Sequence, residues 1–233
     1  RPAKPFAVMA RDVEAVKREC LVNEVQEEIL DGHQKPILLL EKRKKSIEKI
    51  TEHVAENMME TDENSARICE SVAPGNPKVG VMLPYAPVQM LLFQYDDGIQ
   101  MPDFLVMTSG NISECPIAIT PEEAEKQLAG KVPLLLHHNR EIHNRVDDSV
   151  LQICGGQPCL IRRSRGYVPE PFFADIPVEG ILAFGAEKVN TFALGKGETI
   201  LQSQHIGDQA HQRQGHRQRR LVRPVRRMQF PVP

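Results

Sequence analysis

Short apolar runs that stop on proline, glycine or small polar residues, alternating with stretches of helical period, constrain this chain more than any other feature. "KPFAVMA" reads as a strand from its β-branched and aromatic content. Asp12 then stands where a helix cap belongs, and Val13, Val16 and Cys20 follow on one face. A second helical stretch covers about 23–30, and "PILLLEK" is a buried strand entered through proline. The charged stretch 41–64 carries Ile47, Ile50 and Val54 at helical spacing and reads as an exposed helix or a mobile excursion.

"VGVMLPY" is a further strand, and Pro87 suits the first turn of a helix over "PVQMLLFQY". "FLVM", Phe104 to Met107, is expected to be a buried strand that stops on Thr108-Ser109-Gly110-Asn111. Thr120-Pro121-Glu122-Glu123 has the pattern of a capping box, opening a helix that ends at Gly130. "PLLLHH" reads as a strand, and "DSVLQICGGQPCLIRRS" as a hairpin turning at Gly155-Gly156. Strands and helices that alternate as far as residue 130 predict an α/β body, and the late hairpin predicts a mixed sheet.

"GYVPEPFFADIPVEG" holds three prolines and reads as a linker. Beyond it come a strand and a hairpin expected to turn at Gly195-Lys196-Gly197, with no helical stretch to cover them. From Gln209 to Pro233 there are seven Arg and no acid, leaving 22 basic against 31 acidic groups in residues 1–208. The net charge of -2 therefore hides an acidic body and a basic tail. Such a tail is compatible with an RNA-binding arm, though it lacks helical period and aromatic interleaving. No apolar run approaches the ~18 residues of a spanning helix, so no membrane partner is expected. Five cysteines without a C-x-x-C pair argue for reduced thiols in a cytoplasmic protein and against a structural zinc site.

Two clusters carry the chemistry. Thr108, Ser109 and Asn111 follow a strand, and Gly110 lets a ligand approach the backbone. Hydroxyls, an amide and N–H groups suit a phosphate, while the same residues also make an ordinary turn. Arg145, Asp147, Asp148 and Ser149 precede one hairpin strand, and Arg162, Arg163 and Arg165 end its partner. Guanidiniums so crowded repel unless anions separate them, which phosphates do with bidentate geometry. The alternative is a solvated basic edge. His137, His138 and His143 fit no standard metal motif, whereas Asp147 and Asp148 can hold a magnesium ion through water.

"RPAKPFAVMARD", "ESVAPGNPKVGVMLPYAP", "LVMTSGNISECPIAI", "HNREIHNRVDDSV", "IRRSRGYVPEP" and "SQHIGD" together resemble the HypF family of hydrogenase maturation carbamoyltransferases. The resemblance implies a YrdC-like domain over 1–168, lacking its first strands, with a twisted mixed sheet, flanking helices and a concave basic cavity. It further implies a proline-rich linker over 169–180, the start of a Kae1-like domain over 181–208, and an aberrant basic tail over 209–233. The alien composition of that tail is what a shifted reading frame produces.

In that family ATP and carbamate, released from carbamoyl phosphate, give carbamoyl-adenylate and pyrophosphate with Mg²⁺. The carbamoyl group passes to the acceptor protein HypE and becomes a cyanide ligand of [NiFe]-hydrogenase. The family's S-x-N signature falls on Ser109 and Asn111, and its K-x-R signature ends at Arg1, with Lys4 just beyond. Ser149, Arg162 and Arg163 match later nucleotide-side positions, and no side-chain nucleophile is assigned. Relatives that make threonylcarbamoyl-adenylate for tRNA modification hold threonine with a His and an Arg. Met9 and Met82 stand at those places here, which favours unsubstituted carbamate.

Overall fold

The computed structural model describes residues 5–43, 68–96, 98–112, 115, 117–143, 145–185 and 190–204. The expected helix over 41–64, Arg1, Lys4 and the tail over 209–233 lie wholly or almost wholly outside these residues.

The first half alternates as its pattern demands. Strand β1 (Ala7–Ala10) leads to helix α1 (Val13–Glu19), strand β2 (Cys20–Leu21), helix α2 (Glu24–Asp31) and strand β3 (Ile37–Lys42). A 3₁₀ turn (Glu70–Val72) precedes strand β4 (Lys78–Met82), helix α3 (Pro87–Gln94), strand β5 (Phe104–Met107) and helix α4 (Pro121–Leu128). The hairpin follows as β6 (Val150–Cys154) and β7 (Gln157–Arg162). Its turn residues Gly155 and Gly156 both have positive φ, +57° and +80°, as a tight turn between two antiparallel strands requires.

Helix starts follow local chemistry. Asp12 accepts a hydrogen bond from the Ala15 N–H at 2.7 Å, and Asn23 and Gln26 cap each other reciprocally. Thr120 accepts from the Glu123 N–H at 3.1 Å. The second half of the expected capping box is displaced: Glu123 accepts from the Ile119 N–H at 3.1 Å, one residue before the cap.

The strands form a seven-stranded mixed sheet in the order β5-β1-β4-β3-β6-β7, with β2 beside β3. β1 runs parallel to β4, and β3 to β6; the β5–β1, β4–β3, β3–β2 and β6–β7 pairs are antiparallel. Period-two alternation sorts the side chains by face. Val8, Leu38, Leu40, Val79 and Val81 join Val16 of α1, Cys20 of β2 and Leu30 of α2 in one buried cluster. Met9 and Met82, direct partners across β1 and β4, form the other cluster with Phe93 of α3. Burying each such side chain stabilises the fold by about 1.5–3 kcal/mol.

Four expectations are corrected. β5 is an edge strand antiparallel to β1, and none of its residues is fully buried. Arg11 holds it: its N–H donates to the Asp103 carbonyl at 2.8 Å and its Nε to the Asp103 carboxylate at 3.0 Å. "PLLLHH" is irregular, because among the described residues no strand takes up its backbone; Leu134 is 81% exposed and Leu136 71%. The proline-rich stretch contributes strand β8 (Phe172–Phe173) to a second sheet. That sheet has the order β8-β11-β10-β9, from β9 (Leu182–Phe184), β10 (Phe192–Lys196) and β11 (Thr199–Gln202). Its hairpin turns at Gly197-Glu198, two residues on from the expected start, because Lys196 pairs with Thr199.

Candidate functional site

Strand β4 ends at Met82 and continues through Leu83 and Pro84 to Tyr85. Strand β5 ends at Met107. The two ends do not share an edge of the sheet, since β5 runs against β1 and β1 with β4. They meet instead beside a cavity of about 190 Å³ on the face that carries Met82 and Met107. Thr108, Ser109 and Gly110 form one wall, Tyr85 another, and Val146, Asp147 and Asp148, just before β6, a third. The cavity thus lies beside the carboxyl ends of β4 and β5 and the amino end of β6.

The predicted residues divide. Thr108 and Ser109 are exposed at the cavity. Asn111 holds the turn: its Oδ1 accepts from the Ser109 hydroxyl, and its Nδ2 donates to the Ile112 carbonyl at 3.1 Å and the Cys115 carbonyl at 2.6 Å. The alternative turn reading thus describes Asn111 well, and the turn in turn presents Ser109. Gly110 has open space where a side chain would begin, so its backbone is approachable.

Arg145 does not itself line the cavity but binds the carbonyl of Ile117, which does. Its Nε donates to the Ile117 carbonyl at 2.7 Å and its Nη2 to the Glu123 carboxylate at 3.0 Å. Ser149 is fully buried; its hydroxyl donates to the Arg165 carbonyl at 2.8 Å and accepts from the Ser164 N–H at 2.8 Å. It knits β6 to the end of β7.

The arginine group also separates. Arg162 is exposed, with one contact at 3.5 Å to the Asp148 carbonyl. Arg163 turns toward the second sheet: it donates to the Glu170 carbonyl at 2.6 Å and lies 5.0 Å from the centre of the Phe172 ring. Burial pushes its ionisation down, opposed by the charge of Glu170. Arg165 holds two residues of the cavity wall by their side chains, Tyr85 and Asp148. None of these four arginines is itself among the residues that line the cavity. Arg162 and Arg165 both meet Asp148 while Arg145 and Arg163 bind elsewhere, because each guanidinium settles on the carbonyls and carboxylates that the fold brings within its reach.

Sequence reasoning gave no wall role to Tyr85, which an aromatic residue placed three positions after a strand end, in "MLPY", could have signalled. Among the described residues no group of three or more His, Cys, Asp or Glu side chains is placed to hold a metal ion. His143 pairs loosely with Glu141, at 3.9 Å. All five cysteines are free thiols. No helix among the described residues is long and apolar enough to cross a membrane.

Comparison with known proteins gives this geometry a context. Residues 1–164 match the Sua5/YciO/YrdC family model, described as telomere recombination, and residues 177–230 match the HypF Kae1-like domain. The second match runs past Asp208, where the composition changes. A carbamoyltransferase HypF of Rhizobium leguminosarum bv. viciae is 35% identical over 208 residues, covering 88% of this chain and 24% of the relative. The chain thus spans about a quarter of the length of the curated relatives it matches.

The crystal structure of full-length HypF in the phosphate- and nucleotide-bound form superposes with a TM-score of 0.71 at 39% identity, over 89% of this chain and 29% of that one. Sua5 of P. abyssi complexed with L-threonine shares the fold alone: 16% identity, a TM-score of 0.50, and coverage of 70% and 41%.

Proposed function

The chain belongs to the Sua5/YciO/YrdC family, and on that premise we propose that its cavity joins carbamate to ATP, giving carbamoyl-adenylate and pyrophosphate. The carbamate oxygen attacks the α-phosphorus and pyrophosphate leaves, so the protein has to position two anions and balance their charge. In the complete HypF-type protein the carbamate derives from carbamoyl phosphate, and the carbamoyl group is handed to HypE for cyanide-ligand synthesis in the cytoplasm. The division into a YrdC-like unit over 1–168, a linker and the start of a Kae1-like unit belongs to the same reading.

One observation carries it. Thr108 and Ser109 line a hollow with a methionine wall, and among the described residues no His or Arg lines it. Met82 lines that hollow and Met9, its direct cross-strand partner, is fully buried behind it. Thioethers cannot hold the carboxylate of an amino acid, so the space suits an unsubstituted carbamoyl group. About 190 Å³ is below the ~300–1,000 Å³ of whole-ligand pockets, and fits the reacting phosphoryl and carbamoyl centre.

The donor set also fits Mg²⁺, which needs only one or two carboxylates beside phosphate oxygens and water. Asp147 and Asp148 both line the cavity, and these are the carboxylates that would hold the ion. Bound there, Mg²⁺ would neutralise phosphate charge. Nucleic-acid binding has less support, because Arg145, Arg163 and Arg165 are all turned to protein partners.

ATP–pyrophosphate exchange tests the proposal, with an acylphosphatase and carbamoyl phosphate supplied. Exchange should require carbamoyl phosphate and fall about 10-fold or more in Ser109→Ala, the scale of one lost transition-state hydrogen bond. Exchange driven equally well by threonine and bicarbonate would sink it.

A further inference from the structure

We propose that Arg165 is a positioning residue that touches no ligand and sets the cavity's shape by fixing Tyr85 and Asp148 against the 34–35 loop. The inference rests on the adenylation reading of the same cavity. It starts from an unusual concentration of contacts. The guanidinium carbon lies 3.4 Å from the centre of the Tyr85 ring, at stacking distance. Its Nε donates to Asp148 Oδ1 at 2.8 Å, its Nη1 to the Gln34 carbonyl at 3.1 Å and its Nη2 to the Lys35 carbonyl at 2.8 Å. The Arg165 N–H donates to the Asp147 carbonyl at 3.0 Å, and its own carbonyl accepts from the buried Ser149 hydroxyl at 2.8 Å.

Both Tyr85 and Asp148 line the cavity, and Gln34 and Lys35 do not. Arg165 therefore spans from the cavity wall to a loop behind it. That loop is held in an unfavourable shape. Lys35 has φ +44°, a region side chains avoid, and its Nζ is paired with Asp31 at 2.7 Å. The loop also presses on the residue after Arg165. A Cβ at Gly166, where φ is +85°, would sit 2.5 Å from the Gln34 carbonyl oxygen, so glycine is required there.

The donors argue against a direct ligand role. Three of the five guanidinium N–H groups are in hydrogen bonds, one face is covered by Tyr85, and the side chain is only 19% exposed. A bidentate phosphate clamp would have to break bonds already made. Lysine cannot replace this fork, since it offers a point charge without the plane that stacks and branches.

The test uses the full chain in two measurements. In an NMR titration with inorganic pyrophosphate, the Ser109 and Gly110 amide signals should move while the Arg165 Nε–H signal stays within its line width. In the exchange assay, Arg165→Lys should lower kcat about 10-fold or more with the KM for ATP within threefold. Asp148→Asn should do the same, and the double variant should be no worse than either single one.

An Nε–H shift as large as that of Ser109, or a tenfold rise in the ATP KM, makes Arg165 a ligand and overturns the inference. A lower melting temperature with unchanged kcat makes it merely structural and overturns it too. Responding amides without carbamoyl-phosphate-dependent exchange refute the adenylation reading alone, and the Nε–H signal then decides this inference. Silent Ser109 and Gly110 amides refute both.

Discussion

The two sheets are built from similar residues and end up in different surroundings. Leu38 and Leu40 of β3 are fully buried, whereas Leu182 and Phe184 of β9 are 52% and 67% exposed. Both stretches are short, apolar and bounded by turn formers, so both form strands. The difference lies in what covers them. The first sheet has α1 and α2 on one face and α3 on the other, while neither buried cluster includes a residue of the second sheet. Alternation specifies a strand; burial requires a partner layer. The second sheet instead relies on backbone pairing and on close contacts such as the Gly195 N–H donating to the Ile181 carbonyl at 2.8 Å.

That contrast can be broken or sharpened by experiment. Leu38→Ala should cost about 3 kcal/mol of global stability, read by urea unfolding, while Leu201→Ala in β11 should cost under about 1 kcal/mol. Equal losses would mean that the second sheet carries a core of its own. Gly195→Ala should cost about 2 kcal/mol, confined to the second sheet. A Cβ there would lie 1.9 Å from the Val178 carbonyl oxygen, so the backbone must shift. Hydrogen exchange should show β10 and β11 losing protection while β1 and β4 keep theirs.

Cys20 supplies a pH test of the first sheet alone. Burial pushes its thiol up from 9.0 to about 12, so the folded state keeps its proton when the unfolded chain loses it. Its contribution is complete below pH 9 and is lost as pH rises toward 12, at about 1.4 kcal/mol per pH unit. In alkaline denaturation, Cys20→Ala should flatten that slope. Cys69 behaves oppositely: the Ser71 hydroxyl pulls its thiol down, so iodoacetamide should modify Cys69 well before Cys20.

The smallest effect should come from Arg163→Ala, at about 0.5–1 kcal/mol from the lost contact with Phe172. Its readout is faster exchange in β8 and β11 with β6 and β7 unchanged.

Much of the fold was legible because its signals are local. Asp12 and Thr120 cap helices where a short polar side chain can reach back to an N–H two or three residues on. Pro87 opens α3 because the first turn lacks a use for its missing N–H. Gly155-Gly156 turns a hairpin because both φ angles are positive. "PLLLHH" misled because an apolar run says nothing about whether a sheet edge is available to it. In the site, Ser109 was legible as a small polar residue ending a strand. The fates of Arg145, Ser149 and Arg163 were not, since each depends on a carbonyl or carboxylate brought in from another element.

By itself the sequence determined where strands and helices begin, which faces are apolar, and that a small polar turn follows β5. These follow from spacing, caps and backbone freedom within a few residues. Only the tertiary structure decided that β5 runs against β1, that Tyr85 meets Asp147 across a cavity, and that Arg165 is held among Tyr85, Asp148 and the 34–35 loop. Those contacts join residues up to 131 positions apart, and a guanidinium chooses among partners that no local pattern contains.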